Sequence, residues 1–304
     1  MRLNLTGLIA APFTPMLADG LLDLPTIDRL YAKLVADGVV GAFVCGTTGE
    51  GMSLSVAERK AVAERWRSAA PAGSAFRLIV HVGAQALPDA QELAAHGRAI
   101  GVDAIAAVSP SFNKPATADD AAAFAAAVAK AAPGVPYYHY HIPSRTNVTL
   151  PMRATLDAMR TAVPTLAGMK FTHADLGDYA RCVDAFGDDL DLVAGREEML
   201  LAFLALGARA VVGGTFNFAA QLATAVMHAA AAGDATAARR HQAGVADLVD
   251  LAARCGGLAA LKAAMAVAGL DCGPPRLPLR QLQGRELTTL DEGVRRLLER
   301  VRFA

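Results

Sequence analysis

The chain has 304 residues, with 29 basic and 29 acidic side chains, so it carries no net charge when histidine is neutral. Hydrophobic residues make up 54% and charged residues 19%, a balance that supports a large buried core and excludes a disordered chain. The even charge argues against a nucleic acid or an anionic membrane surface as partner, and no uninterrupted apolar run approaches the roughly 18 residues of a spanning helix.

The first residues, "MRLNLTGLIAAPFTP", hold one short apolar run that ends at Pro12 and Pro15, without the pattern of a signal peptide. From there, short runs rich in Val, Ile and Phe alternate with longer segments at helical spacing. Strands are predicted at Thr6–Ala11, Val39–Cys45, Phe76–Val82, Val102–Val108, Val135–Ile142, Thr165–Phe171, Leu190–Ala194 and Arg209–Gly213. Helices are predicted near 25–37, 55–70, 88–100, 117–132, 151–163, 175–187, 196–207 and 217–232. Gly38, Gly101, Gly134 and Gly207 stand near helix-to-strand junctions, where a helix C-terminus favours glycine.

Strands separated by helices argue for a parallel sheet. Eight such units in about 230 residues match an α/β fold of the (β/α)8 TIM-barrel type. A doubly wound open sheet fits less well, because no glycine-rich dinucleotide fingerprint follows the first strand. Beyond residue 233 the pattern becomes three helical segments with no strand between them. The expected organisation is a barrel over 1–233 and a three-helix C-terminal extension over 234–304. Cys45, Cys182, Cys255 and Cys272 lie far apart with no C-x-x-C spacing, and read as free thiols of a cytoplasmic protein.

In such a barrel the chemistry sits at the C-terminal ends of the strands. The second strand runs into "GTTGE", where two glycines flank Thr47 and Thr48. That turn is either an ordinary one, or a set of hydroxyls and backbone N–H groups suited to a carboxylate or phosphate. On the fifth strand, alternation puts Tyr138 and Tyr140 on one face, His139 and His141 on the other. The His-x-His pair has the form of a zinc site but no third ligand at suitable spacing, and structural histidines are expected. The sixth strand ends in "GMKF", and Lys170 is the one lysine of six that falls in a strand pattern. Such a lysine either snorkels to solvent, or is an amine with a lowered pKa that can attack a carbonyl. A carboxylate-binding turn, a phenol and a desolvated lysine at one barrel mouth suggest Schiff-base chemistry.

With "GTTGE", the Tyr140-His141-Ile142-Pro143 stretch and the lysine strand in that order, the sequence resembles the N-acetylneuraminate lyase and dihydrodipicolinate synthase superfamily of pyruvate-dependent class I aldolases. The resemblance runs from "GLIAAPFTPM" to "GPPRLPLRQL". It implies Lys170 as the imine-forming lysine, Tyr140 as the proton-relaying tyrosine, and Thr47 and Thr48 as holders of the pyruvate carboxylate. It also implies a homotetramer built of dimers. No metal or organic cofactor is implied; the partners are small molecules, pyruvate or another 2-oxo acid plus an aldehyde.

Within the superfamily, "GMKFTHADLGDYARC", "AGREEMLLAFLALGA" and "GTFNFAA" resemble the N-acetylneuraminate lyase branch. By that resemblance Thr172, Gly195, Glu197 and Glu198 would contact substrate, although the acidic pair is Glu-Glu where the branch has Asp-Glu. Gly214 stands where lyases often carry serine. Arg145 points toward the synthase branch, which binds its aldehyde's carboxylate with an arginine there; the other reading is an ion pair with Glu50 or with a neighbouring subunit. The synthase's paired tyrosines are absent, since that loop reads "SPSFNKP", with Ser111 and Phe112. The leading expectation is a lyase of the N-acetylneuraminate type, and the runner-up a dihydrodipicolinate synthase condensing pyruvate with aspartate semialdehyde. A sugar-acid aldolase or dehydratase of another specificity, and a non-catalytic binding protein that keeps the pocket, are the remaining readings.

Overall fold

The eight apolar runs form eight strands that close into a parallel barrel in the computed structural model, which describes residues 2–302. The strands are β1 (Gly7–Ala10), β2 (Gly41–Val44), β3 (Arg77–His81), β4 (Ala104–Val108), β5 (Tyr137–His141), β6 (Leu166–Phe171), β7 (Asp191–Ala194) and β8 (Ala210–Gly213). Each pairs with the next in parallel, and β8 returns to β1. The predicted strands run slightly past these limits, because apolar residues continue into the loops beyond the last ladder hydrogen bond.

The connecting helices are α1 (Thr26–Ala36), α2 (Val56–Ala69), α3 (Leu87–Ala99), α4 (Ala118–Lys130), the single turn α5 (Pro143–Thr146), α6 (Met152–Ala162), α7 (Leu176–Phe186), α8 (Leu200–Ala205) and α9 (Phe216–Ala231). Local sequence starts several of them. Ser55 and Glu58 form a reciprocal capping box at α2, as Thr117 and Asp120 do at α4, each pair satisfying otherwise orphaned N–H groups. On α6 the buried residues Met152, Thr155, Leu156 and Met159 recur at helical spacing, so one face is turned to the barrel. Gly38, Gly101, Gly134 and Gly207 all take positive φ at the helix exits, as the junction pattern predicts. After α9 come α10 (Ala235–Arg254), α11 (Leu258–Val267) and α12 (Gly284–Arg302). α10 packs on α9, and α12 on α10 and α11. All four cysteines are free. Among the described residues no helix is long and apolar enough to cross a membrane.

Two apolar clusters divide the interior. One lies between barrel and helices and includes Trp66, Tyr179, Phe186 and Phe203. The other fills the barrel itself and includes Ile9, Phe43, Ile79, Tyr138, Tyr140, Val193 and Val212. The bottom of the barrel is closed by polar contacts: Asp191 accepts from Tyr138 Oη at 2.7 Å, Arg2 Nε at 3.1 Å and the Leu3 N–H at 3.1 Å.

One irregularity decides where the chemistry can be. Between Tyr137 and Tyr138 the pairing of β5 with β6 jumps from Leu166 to Gly168, leaving Ala167 as an extra residue. Ala167 joins the cluster inside the barrel, while Leu166, Met169 and Phe171 join the outer one. Strict alternation would put Ala167 and Lys170 on opposite faces. The bulge resets the count, so both point inward. Gly168 makes room beside it: a Cβ there would stand 2.6 Å from Tyr138 Cε1 and 2.2 Å from the Asp191 carbonyl oxygen.

Candidate active site

The inward turn of β6 carries Lys170 to the upper end of the barrel. Its side chain is buried, with Nζ 4.0 Å from the centre of the Phe43 ring and 4.3 Å from that of Tyr140. Burial removes the ammonium's hydration and pulls its pKa down to about 7, with the Glu197 carboxylate opposing the shift. The lysine does not snorkel to solvent. Half of it is an uncharged amine near neutral pH.

Tyr140, on the neighbouring strand, pairs directly with Lys170 in the sheet register. Its hydroxyl lies 3.1 Å from Thr47 Oγ1. Burial pushes the phenol up to about 12, while the nearby Thr47 and Thr172 hydroxyls and the Arg145 charge oppose the rise. It is therefore a neutral phenol that can donate or accept a proton through Thr47. Phe43 and His81 both pack edge-on against the tyrosine, with ring centres 5.2 and 5.6 Å from it, and restrict its ring.

The "GTTGE" turn follows β2. Its tightness depends on backbone crowding: a Cβ on the next residue, Gly51, would stand 1.9 Å from the Cys45 carbonyl oxygen. Cys45 and Glu50, at either end, take left-handed φ values of 57° and 55°, which non-glycine residues rarely adopt. Thr47 and Thr48 are half-buried between them. Gly214, after β8, adjoins this turn, since a Cβ there would stand 3.4 Å from Thr48 Oγ1.

Beside it lies a second group. Thr172 follows β6, and its buried hydroxyl, near the Tyr140 phenol, makes no hydrogen bond of good geometry among the described residues. Gly195 follows β7 and leaves the space in front of that hydroxyl open, because a Cβ there would stand 2.0 Å from Thr172 Oγ1. Glu197 is buried and accepts the Thr215 N–H at 2.9 Å through one oxygen. Burial raises its pKa, with the Thr215 N–H pulling the other way. Glu198 instead turns to Arg196, 2.5 Å from its guanidinium.

Lys170, Tyr140, Thr47, Thr48 and Gly214 thus form one group, with Thr172, Gly195 and Glu197 beside it. Glu198 and Arg145 stand further out. Arg145 lies exposed on α5, and its side chain makes no hydrogen bond or ion pair with the described residues. The proposed pairing of Arg145 with Glu50 is not what forms. Glu50 is buried and accepts from Lys262 Nζ at 2.7 Å, a partner from a helix beyond the barrel. Sequence reading passed over Lys262, though it left a signal: it is the single charged residue in the otherwise apolar helix "LAALKAAMAV". It also passed over Phe43, whose ring forms one wall against the amine.

His139 and His141 point away from Tyr138 and Tyr140, as alternation predicts. Burial pulls their imidazoles down to about 4 and about 3, so both are neutral. His141 stacks on Phe171 and His173 outside the barrel, with ring centres 5.2 and 5.6 Å away. Among the described residues no three His, Cys, Asp or Glu side chains form a group that could hold a metal ion.

The model of the dihydrodipicolinate synthetase family matches residues 4–297. The chain is 41% identical over 282 residues to N-acetylneuraminate lyase of Gallus gallus, covering 91% of each chain. It is 39% identical over 304 residues to the Homo sapiens N-acetylneuraminate lyase, covering 99% of this chain and 94% of that one. Among solved structures, Proteus mirabilis N-acetylneuraminate lyase superposes with a TM-score of 0.93 at 37% identity, over 96% of this chain and 98% of that one.

Proposed function

The chain belongs to the dihydrodipicolinate synthetase family, and from that premise we propose that it is a Schiff-base aldolase that cleaves N-acetylneuraminate, or a closely related 2-oxo sugar acid, to pyruvate and an aldehyde sugar. The observation that carries the reading is the half-neutral Lys170 amine enclosed by Tyr140 and Phe43, with the Tyr140 hydroxyl bonded to Thr47. About 40% identity to N-acetylneuraminate lyases along the whole length supports the choice of substrate.

The substrate carboxylate sits in the Thr47-Thr48 turn, held by hydroxyls and backbone N–H groups. That places the adjacent ketone carbon beside Lys170. The neutral amine adds to it, and loss of water leaves an iminium. Tyr140 accepts the proton of the hydroxyl two carbons beyond the former ketone carbon while its own proton passes through Thr47 to the substrate carboxylate. The bond between that hydroxyl-bearing carbon and the carbon next to the iminium breaks, its electron pair flows into the iminium to give an enamine, and the aldehyde departs. The remaining enamine is protonated at carbon, and water releases pyruvate and the free lysine. Phe43 keeps water from the amine between turnovers. Thr172 and Gly195 receive the sugar chain. The unpartnered Thr172 hydroxyl supports that role, because an unsatisfied buried polar group costs about 1–3 kcal/mol until something bonds to it. Glu197 and Glu198 are the acids assigned to sugar hydroxyls, Glu198 being the half-buried one on the outer side.

One observation favours the second reading, a dihydrodipicolinate synthase: the exposed, unpaired Arg145 near the mouth suits an aldehyde that bears its own carboxylate. Measuring pyruvate release from N-acetylneuraminate beside condensation of pyruvate with aspartate semialdehyde separates the two. Cleavage is expected, with Glu198→Gln lowering its kcat/KM about tenfold or more and Arg145→Ala having little effect. A large Arg145→Ala effect confined to the condensation would replace the lyase reading with the synthase.

The same reading includes a cytoplasmic homotetramer. Four free cysteines support the reducing compartment, and the family resemblance supports the tetramer. Light scattering on the purified protein tests the assembly, a dimer or monomer counting against it.

A further inference from the structure

We infer that Lys262, on the helix beyond the barrel, is a positioning residue that holds the Thr47-Thr48 turn in its carboxylate-binding shape by way of Glu50. The inference rests on the proposed role of that turn.

Glu50 is the end of the turn and its mechanical handle. Its N–H donates to the Thr47 carbonyl at 3.1 Å, so any rotation of Glu50 is felt at Thr47. Its own backbone is in the left-handed region, which a glutamate does not choose without external restraint. The restraint comes from α11 and from the segment between α11 and α12. Lys262 Nζ donates to Glu50 Oε1 at 2.7 Å, and both side chains are 1% exposed. The Arg276 N–H donates to Glu50 Oε2 at 2.6 Å. The Arg276 guanidinium then ties that segment to the barrel side, to both oxygens of Glu58 at 2.8 Å and to the Gly20 carbonyl at 2.7 Å. Both carboxylate oxygens of Glu50 are therefore held from more than 200 residues away in sequence.

The remaining anchors hold the backbone around the turn and leave the Glu50 side chain to Lys262 and the Arg276 N–H, of which Lys262 alone brings a charge within hydrogen-bond reach. Thr14 Oγ1 donates to the Gly49 carbonyl at 2.7 Å. His81 accepts the Val108 N–H through Nε2, so Nδ1 carries the proton and reaches the Cys45 carbonyl at 3.1 Å. Without the ammonium, a buried carboxylate is left unpaired. It must protonate, admit water or swing away, and each of these releases the left-handed backbone at Glu50. The N–H groups and hydroxyls of Thr47 and Thr48 then lose their common aim. Lys170 and Tyr140 stand on β6 and β5 and are not moved by that release.

The separation gives the test. The wild-type protein and Lys262→Met are titrated with pyruvate in the presence of cyanoborohydride, and the reduced adduct at Lys170 is measured by peptide mass spectrometry. The same is done with acetaldehyde, a carbonyl without a carboxylate, and folding is checked by thermal melting. Lys262→Met is expected to raise the half-saturating pyruvate concentration about tenfold or more while leaving maximal labelling intact and acetaldehyde labelling within about twofold. Glu50→Gln should do the same. The double variant should go no further than either single one, because one link has been removed, not two. If Lys262→Met does not fold, the double variant, which buries no unpaired charge, is held to the same standard. Unchanged pyruvate saturation, or equal losses with pyruvate and acetaldehyde, would overturn the positioning role and leave the aldolase reading standing. A wild-type protein that labels with neither carbonyl would remove both.

Discussion

Imine formation should follow the protonation of one buried lysine, and its pH profile is calculable from the structure. Attack on a carbonyl needs the neutral amine. Burial in the barrel lowers the Lys170 pKa from 10.5 to about 7. At pH 7 about one half of the protein then carries a neutral amine, whereas an ordinary lysine would offer about one part in three thousand. The rate of pyruvate-dependent reductive labelling should rise about tenfold per pH unit up to a midpoint near 7 and then level off. Glu197→Gln removes the negative charge that opposes the shift, so the midpoint should move down. Stability should carry the opposite mark of the same burial. The folded-state pKa lies below the unfolded one, so between pH 7 and 10.5 the unfolded chain holds the extra proton, and stability rises with pH across that window. Burying Lys170 therefore costs roughly 4–5 kcal/mol below pH 7 and nothing above pH 10.5. Lys170→Met should melt higher than wild type at pH 6, with the gap closing toward pH 10, and should not label at all. A labelling rate that climbs steadily to pH 10 in the wild type would refute the account of a desolvated nucleophile.

Tyr140→Phe keeps the ring against Lys170 but removes the hydroxyl bonded to Thr47, so kcat for cleavage should fall by about 10²–10⁴ while the pyruvate adduct still forms; a fall of less than about threefold would remove Tyr140 from the proton path. Gly195→Ala puts a Cβ 2.0 Å from Thr172 Oγ1, so the threonine must rotate; kcat/KM for the sugar acid should drop about tenfold with pyruvate labelling unchanged, and an equal loss in both would mean that the strand end itself had shifted. Prolonged dialysis against EDTA should leave cleavage intact. Loss that zinc restores would replace the lysine mechanism with a metal-dependent one.

Much of this was legible before any coordinates. Alternation of apolar runs with helical segments is a local property, and it marked all eight strands and the helices between them. The period of two on β5 separated Tyr140 from His139 and His141 for the same reason. A lysine in a strand pattern was conspicuous because charge is rarely buried without use. What remained open depended on partners distant in the chain. Local alternation from Ala167 would have faced Lys170 away from the barrel interior, and it is the bulge in the β5–β6 pairing that turns it inward. Glu197 and Glu198 are neighbours of one chemistry, yet the Thr215 N–H holds the first inside and Arg196 draws the second outward. Glu50 pairs with Lys262, 212 residues along the chain, and not with Arg145. Pattern in a sequence reports which face of an element is apolar; which charge meets which is decided only when the barrel closes and the later helices fold against it, since electrostatic pairing depends on distance in space, not along the chain.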